Sequence, residues 1–407
     1  MERDNFMEQI PCPLCGSSKR RVFWSRESYP VVGGRVVPVE KAKDVPWLPL
    51  EISLCLDCFH IYQSCPPESD LLESFYAGNY VTSSPSVAYG GTPPKGLSLF
   101  FEIIKEVTGT GRGLALEIGA YDGYFLHLLN QDGWDTVGYE PAAIGKIGSD
   151  KFGLDIRGEF YEPGKSGAVW DLVVSRYVFE HLEAPRRMLE GIFKETAPGG
   201  WLALEVPDLQ MRLSEGILGC FAHEHISYFL PATLRNLIEE TGFEVKRKLN
   251  TAGGLAVFAQ KPVSPSSRRS KVSQPIERSW IEELISRFEE RRTQRKERFA
   301  RELSRWSGPD NFMVYGGDSH TTDLLVEGWL PVERVSAIID DDPLKQGMVA
   351  AGFSIPIVSR AHLPEPGQAL IVLSAFGHHD RLWDNLADWR SRGGSVLKFY
   401  PECQLYE

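Results

Sequence analysis

The stretch LALEIGAYDGYFLHLL, Leu114 to Leu129, decides the fold. It opens with a short apolar run of strand character, turns through Glu117-Ile118-Gly119-Ala120-Tyr121-Asp122-Gly123, and continues with helical spacing. Glycine at 119 and 123 lets the backbone approach a ligand closely at the carboxyl end of a first strand. The spacing ExGxxxG differs from the dinucleotide GxGxxG, and no phosphate-binding lysine follows. A carboxylate at the strand end, Glu117, disfavours a phosphate there and suits a cationic or amine-bearing ligand.

Working outward, short apolar runs bounded by Gly, Pro or acidic residues recur up to about Gln260. DTVGYEP, DLVVSRY and WLALEVP are the clearest. Strand-like runs alternating with helical stretches predict βαβ units and a mostly parallel sheet. The second run ends in Glu140, whose carboxylate can accept both hydroxyls of a ribose.

The chain has 407 residues, which predicts several domains rather than one core. Residues 1–67 hold two cysteine pairs among β-like runs such as RRVFWS and VVGGRVVPV. Residues 68–262 form the α/β unit, with 68–110 as a helical connector in which Leu97, Phe100, Phe101, Ile104 and Val107 share one stripe. Residues 263–308 comprise a Ser/Pro-rich linker and a long helix carrying Trp280, Ile281, Leu284, Ile285, Phe288, Phe299 and Leu303. Its charge run reads as a solvated face. Residues 309–407 repeat the α/β alternation in FMVYGGDSH, RVSAIIDDDP, ALIVLSAFG and SVLKFYPE.

The cysteines point to metal. Cys12 and Cys15, then Cys55 and Cys58, form CxxC…CxxC, and two intervening residues let both thiolates of a pair converge on one ion. Zinc takes four such ligands in a tetrahedron, which leaves no position open for catalysis, so the expected role is structural Zn2+. A redox CxxC needs one exposed thiol of low pKa and fits two matched pairs poorly. Cys65, Cys220 and Cys403 read as packing residues. A formal charge of −11 argues against nucleic acid as the main partner, and no run reaches membrane-spanning length. Without a secretory leader pattern, the expected compartment is cytoplasmic.

FAHEHISYF, Phe221 to Phe229, leaves three readings open: metal ligands, a catalytic base, or a hydrogen-bonded turn in a core. Metal is the least attractive, because His223 and His225 share a face only in an extended strand and no third ligand follows. His127 and His181 read as core histidines.

In order and spacing, the glycine turn, Glu140, SRYVFEHLEAP and TAPGGWLALEVP resemble the S-adenosylmethionine-dependent methyltransferase fold. Together with the paired CxxC, EIGAYDGYF, FEHL, HEHISYF, YGGDSHTTDLL and IIDDDPLKQG, the whole chain resembles the sugar C-methyltransferase family. The resemblance implies a class I methyltransferase (Rossmann-like) core between an N-terminal β-rich zinc module and a C-terminal Rossmann-like α/β domain that binds a nucleotide sugar. It implies S-adenosylmethionine as cofactor, held by Glu117, Gly119, Ala120, Tyr121, Asp122, Gly123, Glu140 and Arg176. It implies methylation of a carbon beside the ketone of a nucleotide-linked keto-deoxysugar, with His225 as base, Glu224 orienting it or touching substrate, and His223 as a weaker candidate. Tyr80, Ser83, Ser84, Tyr228, Gly316, Gly317 and Ser319 would contact that small-molecule partner.

The sequence departs from the family at Ala222, where a tyrosine is expected, in the register of NYVTSSPS, and in SAFGHHD, where a tryptophan and an asparagine are expected. Ala222 keeps a second reading in view, methyl transfer to oxygen, nitrogen or carboxylate on another natural-product or polysaccharide precursor. A third is a cofactor-binding scaffold without activity.

Overall fold

The computed structural model describes residues 9–31, 35–68, 70–72, 95–109, 113–251, 253–264 and 275–407. Near the N-terminus, β-branched and aromatic residues form β1 (Arg20–Pro30), followed by the short β2 (Val36–Val37), β3 (Trp47–Cys55) and β4 (Ile61–Gln63). Strands β1, β3 and β4 pair antiparallel, and Trp24, Tyr29, Leu50, Ile52, Leu54 and Ile61 feed one core.

The amphipathic stripe read at the connector becomes α1 (Lys95–Thr108). The α/β unit then runs β5 (Leu114–Ile118), α2 (Tyr124–Gln131), β6 (Asp135–Tyr139), α3 (Gly145–Phe152), β7 (Asp155–Arg157), β8 (Trp170–Arg176), α4 (Pro185–Glu195) and β9 (Thr196–Pro207). After β9 come α5 (Leu209–Glu215), β10 (Ser227–Tyr228), α6 (Pro231–Glu240), β11 (Glu244–Asn250) and β12 (Gly254–Gln260). The seven-stranded sheet has the order β11-β12-β9-β8-β5-β6-β7, with β12 antiparallel to both neighbours and the other pairings parallel.

Strand alternation sorts its side chains into two cores. Ala115, Leu172 and Val174 face Phe100, Ile104 and Phe125 on one side, while Leu116, Val173 and Leu204 face Leu189, Ile192 and Leu237 on the other. Each fully buried Leu, Val or Phe contributes about 1.5–3 kcal/mol, so both faces hold their helices. This is the mostly parallel sheet expected from the strand–helix alternation, and it has the class I methyltransferase architecture that the resemblance implies.

The long helix α7 (Arg278–Leu303) precedes a second α/β unit: β13 (Phe312–Tyr315), α8 (Ser319–Val326), β14 (Val335–Ile339), β15 (Val349–Ala350), β16 (Ile357–Val358), β17 (Leu370–Leu373), α9 (His379–Asn385), α10 (Ala387–Ser391), β18 (Val396–Lys398) and β19 (Gln404–Tyr406). Its sheet order is β16-β14-β13-β17-β18-β19, parallel except for β19.

Three features cross the divisions read from sequence. Strand β10, from the α/β unit, completes the N-terminal sheet beside β4, pairing Ser227 with Tyr62 and Tyr228 with Ile61. Strand β2, from the N-terminal region, pairs with β15 of the last unit. The third concerns α7, whose charged face is not all solvated. Arg292 is buried and pairs with Asp323 (3.5 Å) and Glu327, and Asp323 also accepts from Tyr29 Oη (2.9 Å) and the Gly219 N–H (2.7 Å). A buried carboxylate needs such partners, so the charge pattern that reads as solvent-facing is used here as a junction. Among the described residues no helix is long and apolar enough to cross a membrane.

Candidate active site

At the end of β5 the chain turns through Gly119 (φ 76°), Tyr121 (φ 49°) and Gly123 (φ 74°), a left-handed succession that glycine adopts without strain. The N–H groups of Gly119 and Ala120 donate to the Tyr139 carbonyl (2.9 and 3.0 Å), which seats the turn on β6. Asp122 accepts from the Tyr124 N–H (3.1 Å) at the start of α2. Glu140, at the end of β6, accepts from the N–H groups of Tyr121 (3.0 Å) and Ala142 (2.9 Å), so it braces the same turn. Burial raises the Glu140 carboxyl, and those two donors oppose the rise.

Glu117 is buried, and its Oε2 has no hydrogen-bond partner among the described residues. Burial pushes its carboxyl up to about 8, against the pull of Arg176. Arg176 is tied by its Nε to Glu205 (2.7 Å) and lies over the Phe100 and Phe125 rings. An orphaned carboxylate, a glycine cradle and a second carboxylate on the adjoining strand fit a ligand that carries an ammonium group and a ribose. S-adenosylmethionine has both, and Glu117, the Gly119–Gly123 turn and Glu140 would hold it.

The loop after β8 links this turn to the histidines. A Cβ added at Gly119 would lie 2.4 Å from Val178 Cγ2, so the Val178 side chain packs directly against the glycine. Tyr177 sits at φ 55°, and a single 3-10 turn, Phe179–His181, follows. The Glu180 carbonyl accepts from the Ile226 N–H (2.8 Å), and the His181 and His225 rings meet edge to face at 4.8 Å. Glu180 is buried with Oε2 unpartnered among the described residues, and burial raises it to about 8.

The His-Glu-His segment is strapped to the N-terminal sheet. His223 Nε2 donates to the Pro49 carbonyl (3.1 Å), which makes it a buried tether. Glu224 Oε1 accepts from Arg35 (3.0 Å), and the Glu224 carbonyl accepts from His181 Nδ1 (2.7 Å). With its amide oriented to satisfy both ends, buried Gln63 donates to the carbonyls of Ala222, His223 and His225 at 3.2 Å each. Burial, and then the neighbouring His181, Arg35 and Arg212, drive the His225 imidazole well below its ordinary value. It is therefore uncharged at neutral pH. Tyr228 Oη is occupied by both backbone groups of Ala222, accepting from its N–H (3.0 Å) and donating to its carbonyl (2.9 Å).

Residues 106–248 match the family described as a methyltransferase domain, and residues 251–401 match a C-methyltransferase C-terminal domain. The chain is an S-adenosylmethionine-dependent methyltransferase. The border between the two matched regions falls at the end of β11, just before β12, and both strands belong to the seven-stranded sheet. Solved structures similar to this methyltransferase include magnesium protoporphyrin IX methyltransferase from Synechocystis PCC 6803 with bound SAH, at 14% identity over 48% of this chain and 100% of that one (TM-score 0.36). Another is an S-adenosylmethionine dependent methyltransferase from Mesorhizobium loti, at 12% identity over 40% and 97% (TM-score 0.34). A third is an N-methyltransferase from Bradyrhizobium japonicum WM9, at 14% identity over 40% and 95% (TM-score 0.33). No curated protein sequence matches the chain.

The methyltransferase's four N-terminal thiols come together as the spacing requires. Cys12 and Cys58 lie 3.6 Å apart, Cys15 and Cys55 3.5 Å apart, and all four sulfurs fall within 4.8 Å of one another. Each pair is followed by a residue at positive φ, Gly16 (73°) and Phe59 (59°), which folds the chain back. The carbonyls of Cys12 and Cys55 accept from the N–H groups of Gly16 (2.8 Å) and Phe59 (3.1 Å).

In the last unit Gly316 turns at φ 111°, while the Gly317 N–H points to Asp340 (3.3 Å) and Ser319 abuts Gly219, whose added Cβ would come within 2.5 Å of it. Tyr80, Ser83 and Ser84 lie outside the described residues. Glu180 and His181 are the site residues that sequence reasoning missed. FEHL was visible as a motif, but only the 3-10 turn shows that it faces His225.

Proposed function

We propose that this methyltransferase acts at the carbon next to the ketone of a nucleotide-linked keto-deoxysugar, with His225 as general base. The observation that carries the reading is an uncharged His225 set against His181 on a loop that meets the cofactor turn through Val178. The C-methyltransferase C-terminal match supports carbon as the accepting atom. A C–H beside a ketone is weakly acidic, so its removal needs a positioned base in its neutral form. Bound S-adenosylmethionine supplies the electrophilic methyl group. His225 takes the carbon-bound proton, and Arg212, a cation close to it, favours the negative charge that the ketone oxygen acquires.

The four-cysteine cluster we read as a structural zinc site. The tetrahedron expected from a Zn–S bond of about 2.3 Å has sulfur–sulfur edges of about 3.8 Å, close to the separations of the two pairs. His223 and β10 rest on the sheet that this cluster closes, which gives the metal a part in holding the catalytic loop.

The Ala222 position supports a second reading, methyl transfer to oxygen, nitrogen or carboxylate, because no phenol stands beside His225 at that point and Tyr228 Oη is taken by the backbone. Incubating the protein with S-adenosylmethionine and a panel of nucleotide-linked keto-sugars separates the two. A new methyl-on-carbon signal by NMR supports carbon transfer, and a methoxy signal replaces it with the second reading. His225→Ala should lower kcat by about 10²–10⁴-fold while S-adenosylhomocysteine still binds. Full turnover by that variant would remove His225 from the role.

A further inference from the structure

Three stretches far apart in sequence meet at Glu224. Its side chain is only 4% exposed, and its carboxylate is met by the guanidinium of Arg35 at 3.0 Å. Arg35 is rooted elsewhere: its carbonyl accepts from the Ala351 N–H (3.0 Å), and the next two residues, Val36 and Val37, pair with Ala350 and Val349 of β15. Val36 is buried in the core of the last α/β unit, which also takes in Leu218 of the segment that leads to the histidines. The arm is thus clamped at its base on one unit while its head reaches another. On the far side of the same residue, the Glu224 carbonyl accepts from His181 Nδ1 (2.7 Å). A carbonyl can only accept, so Nδ1 carries the hydrogen and Nε2 the lone pair.

We propose that Arg35 is a positioning residue for the methyl-transfer loop, an N-terminal cation that fixes the Glu224 carboxylate and, through the Glu224 backbone, the orientation of the His181–His225 pair. This deepens the reading of His225 as the base and rests on it for its catalytic consequence, though not for the contact itself. A buried carboxylate is costly to leave without a partner, and the Arg35 guanidinium is one such partner. The groups that face His225 are Glu180 and His181 from the loop after β8, Arg212 from α5, Tyr228 from its own segment, and Arg35 from the arm. After burial, Arg35 is one of the charges that keep both histidines unprotonated. Removing it lets both imidazoles take a proton more readily, so the base is available only at higher pH.

The test uses the full chain with S-adenosylhomocysteine bound and reads the histidine ring protons by NMR across pH, in wild type, Arg35→Met and Arg35→Lys. His181 and His225 are assigned by comparison with His181→Ala and His225→Ala. In Arg35→Met both midpoints should rise by about one pH unit, and Arg35→Lys, which keeps the cation, should restore them. With an acceptor in hand, Arg35→Met should lower kcat/KM by about 100-fold, mostly in kcat, and move the acid limb of the pH profile upward. Unmoved midpoints in Arg35→Met, at wild-type metal content and melting temperature, overturn the proposal. If that variant fails to fold, Arg35→Gln, which keeps hydrogen-bond donors without the charge, provides the same readout. The titration needs no acceptor, so it stands or falls apart from the sugar assignment. Shifted midpoints alongside an active His225→Ala would sink the base assignment and leave the Arg35 contact in place.

Discussion

Gly119→Ala is the sharpest probe of the cofactor turn. The glycine sits at φ 76°, and a Cβ there would stand 2.4 Å from Val178 Cγ2, far inside van der Waals contact. Two costs add. Holding alanine in the left-handed region costs about 1–2 kcal/mol, and overpacking against a stiff, β-branched neighbour costs about 1–3 kcal/mol more. Gly153 separates them, because it has φ 65° with nothing within 4 Å of an added Cβ. Gly153→Ala should therefore show the backbone cost alone, about 1–2 kcal/mol.

Gly119→Ala should lower the melting temperature of the apoprotein by roughly 5–10 °C and weaken S-adenosylhomocysteine binding at least tenfold by calorimetry, tenfold being about 1.4 kcal/mol. Trimming the neighbour in the double variant Gly119→Ala/Val178→Ala should return most of the affinity and leave the backbone cost behind. The reasoning is refuted if Gly119→Ala behaves like Gly153→Ala, or if the second substitution returns nothing.

Cys55→Ser should abolish the zinc measured by metal analysis and, because β10 pairs with β4 of the sheet closed by the cysteines, stop methyl transfer. Calorimetry should still find S-adenosylhomocysteine binding, whose residues stand on the seven-stranded sheet; retained zinc in Cys55→Ser would contradict the ligand set. The Glu117 carboxyl is raised to about 8 in the folded chain against an ordinary 4.5. Between those values the folded apoprotein holds a proton that the unfolded chain has lost, so its stability falls as pH rises through that window. S-adenosylhomocysteine, whose ammonium group needs the ionised carboxylate, should bind up to about tenfold more tightly per pH unit below 8, then level off. Glu117→Gln should flatten that dependence, and a pH-independent Kd in wild type would disprove the pairing.

Much of the fold was legible because its determinants are local. Leu114–Leu129 states strand, turn and helix in one line, and CxxC spacing constrains two thiolates whatever surrounds them. Glu117 and Glu140 could be placed at strand ends for the same reason. His181, read as a core histidine, is partly buried and bonded to the Glu224 carbonyl; its contact with His225 was not legible, because the two rings meet only through a turn that brings positions far apart in sequence together. Arg292 was read as part of a solvated charge run for a like reason: its buried partners, Asp323 and Glu327, lie on or just after α8 and carry no mark in the α7 sequence.

The sequence by itself determined the chemistry at hand: a glycine turn beside carboxylates, four convergent thiols, and a histidine pair around Glu224. It did so because residue type and short spacing dictate which groups can bind what. Only the tertiary structure decided what each member of FAHEHISYF does. His223 is tethered to Pro49, Glu224 is paired with Arg35, Tyr228 is bound to the Ala222 backbone, and His225 is left uncharged beside Glu180 and His181. Those roles depend on which distant strands pair, β10 on β4 and β2 on β15. Pairing of that range is fixed by the packing of whole cores and not by any local run of residues.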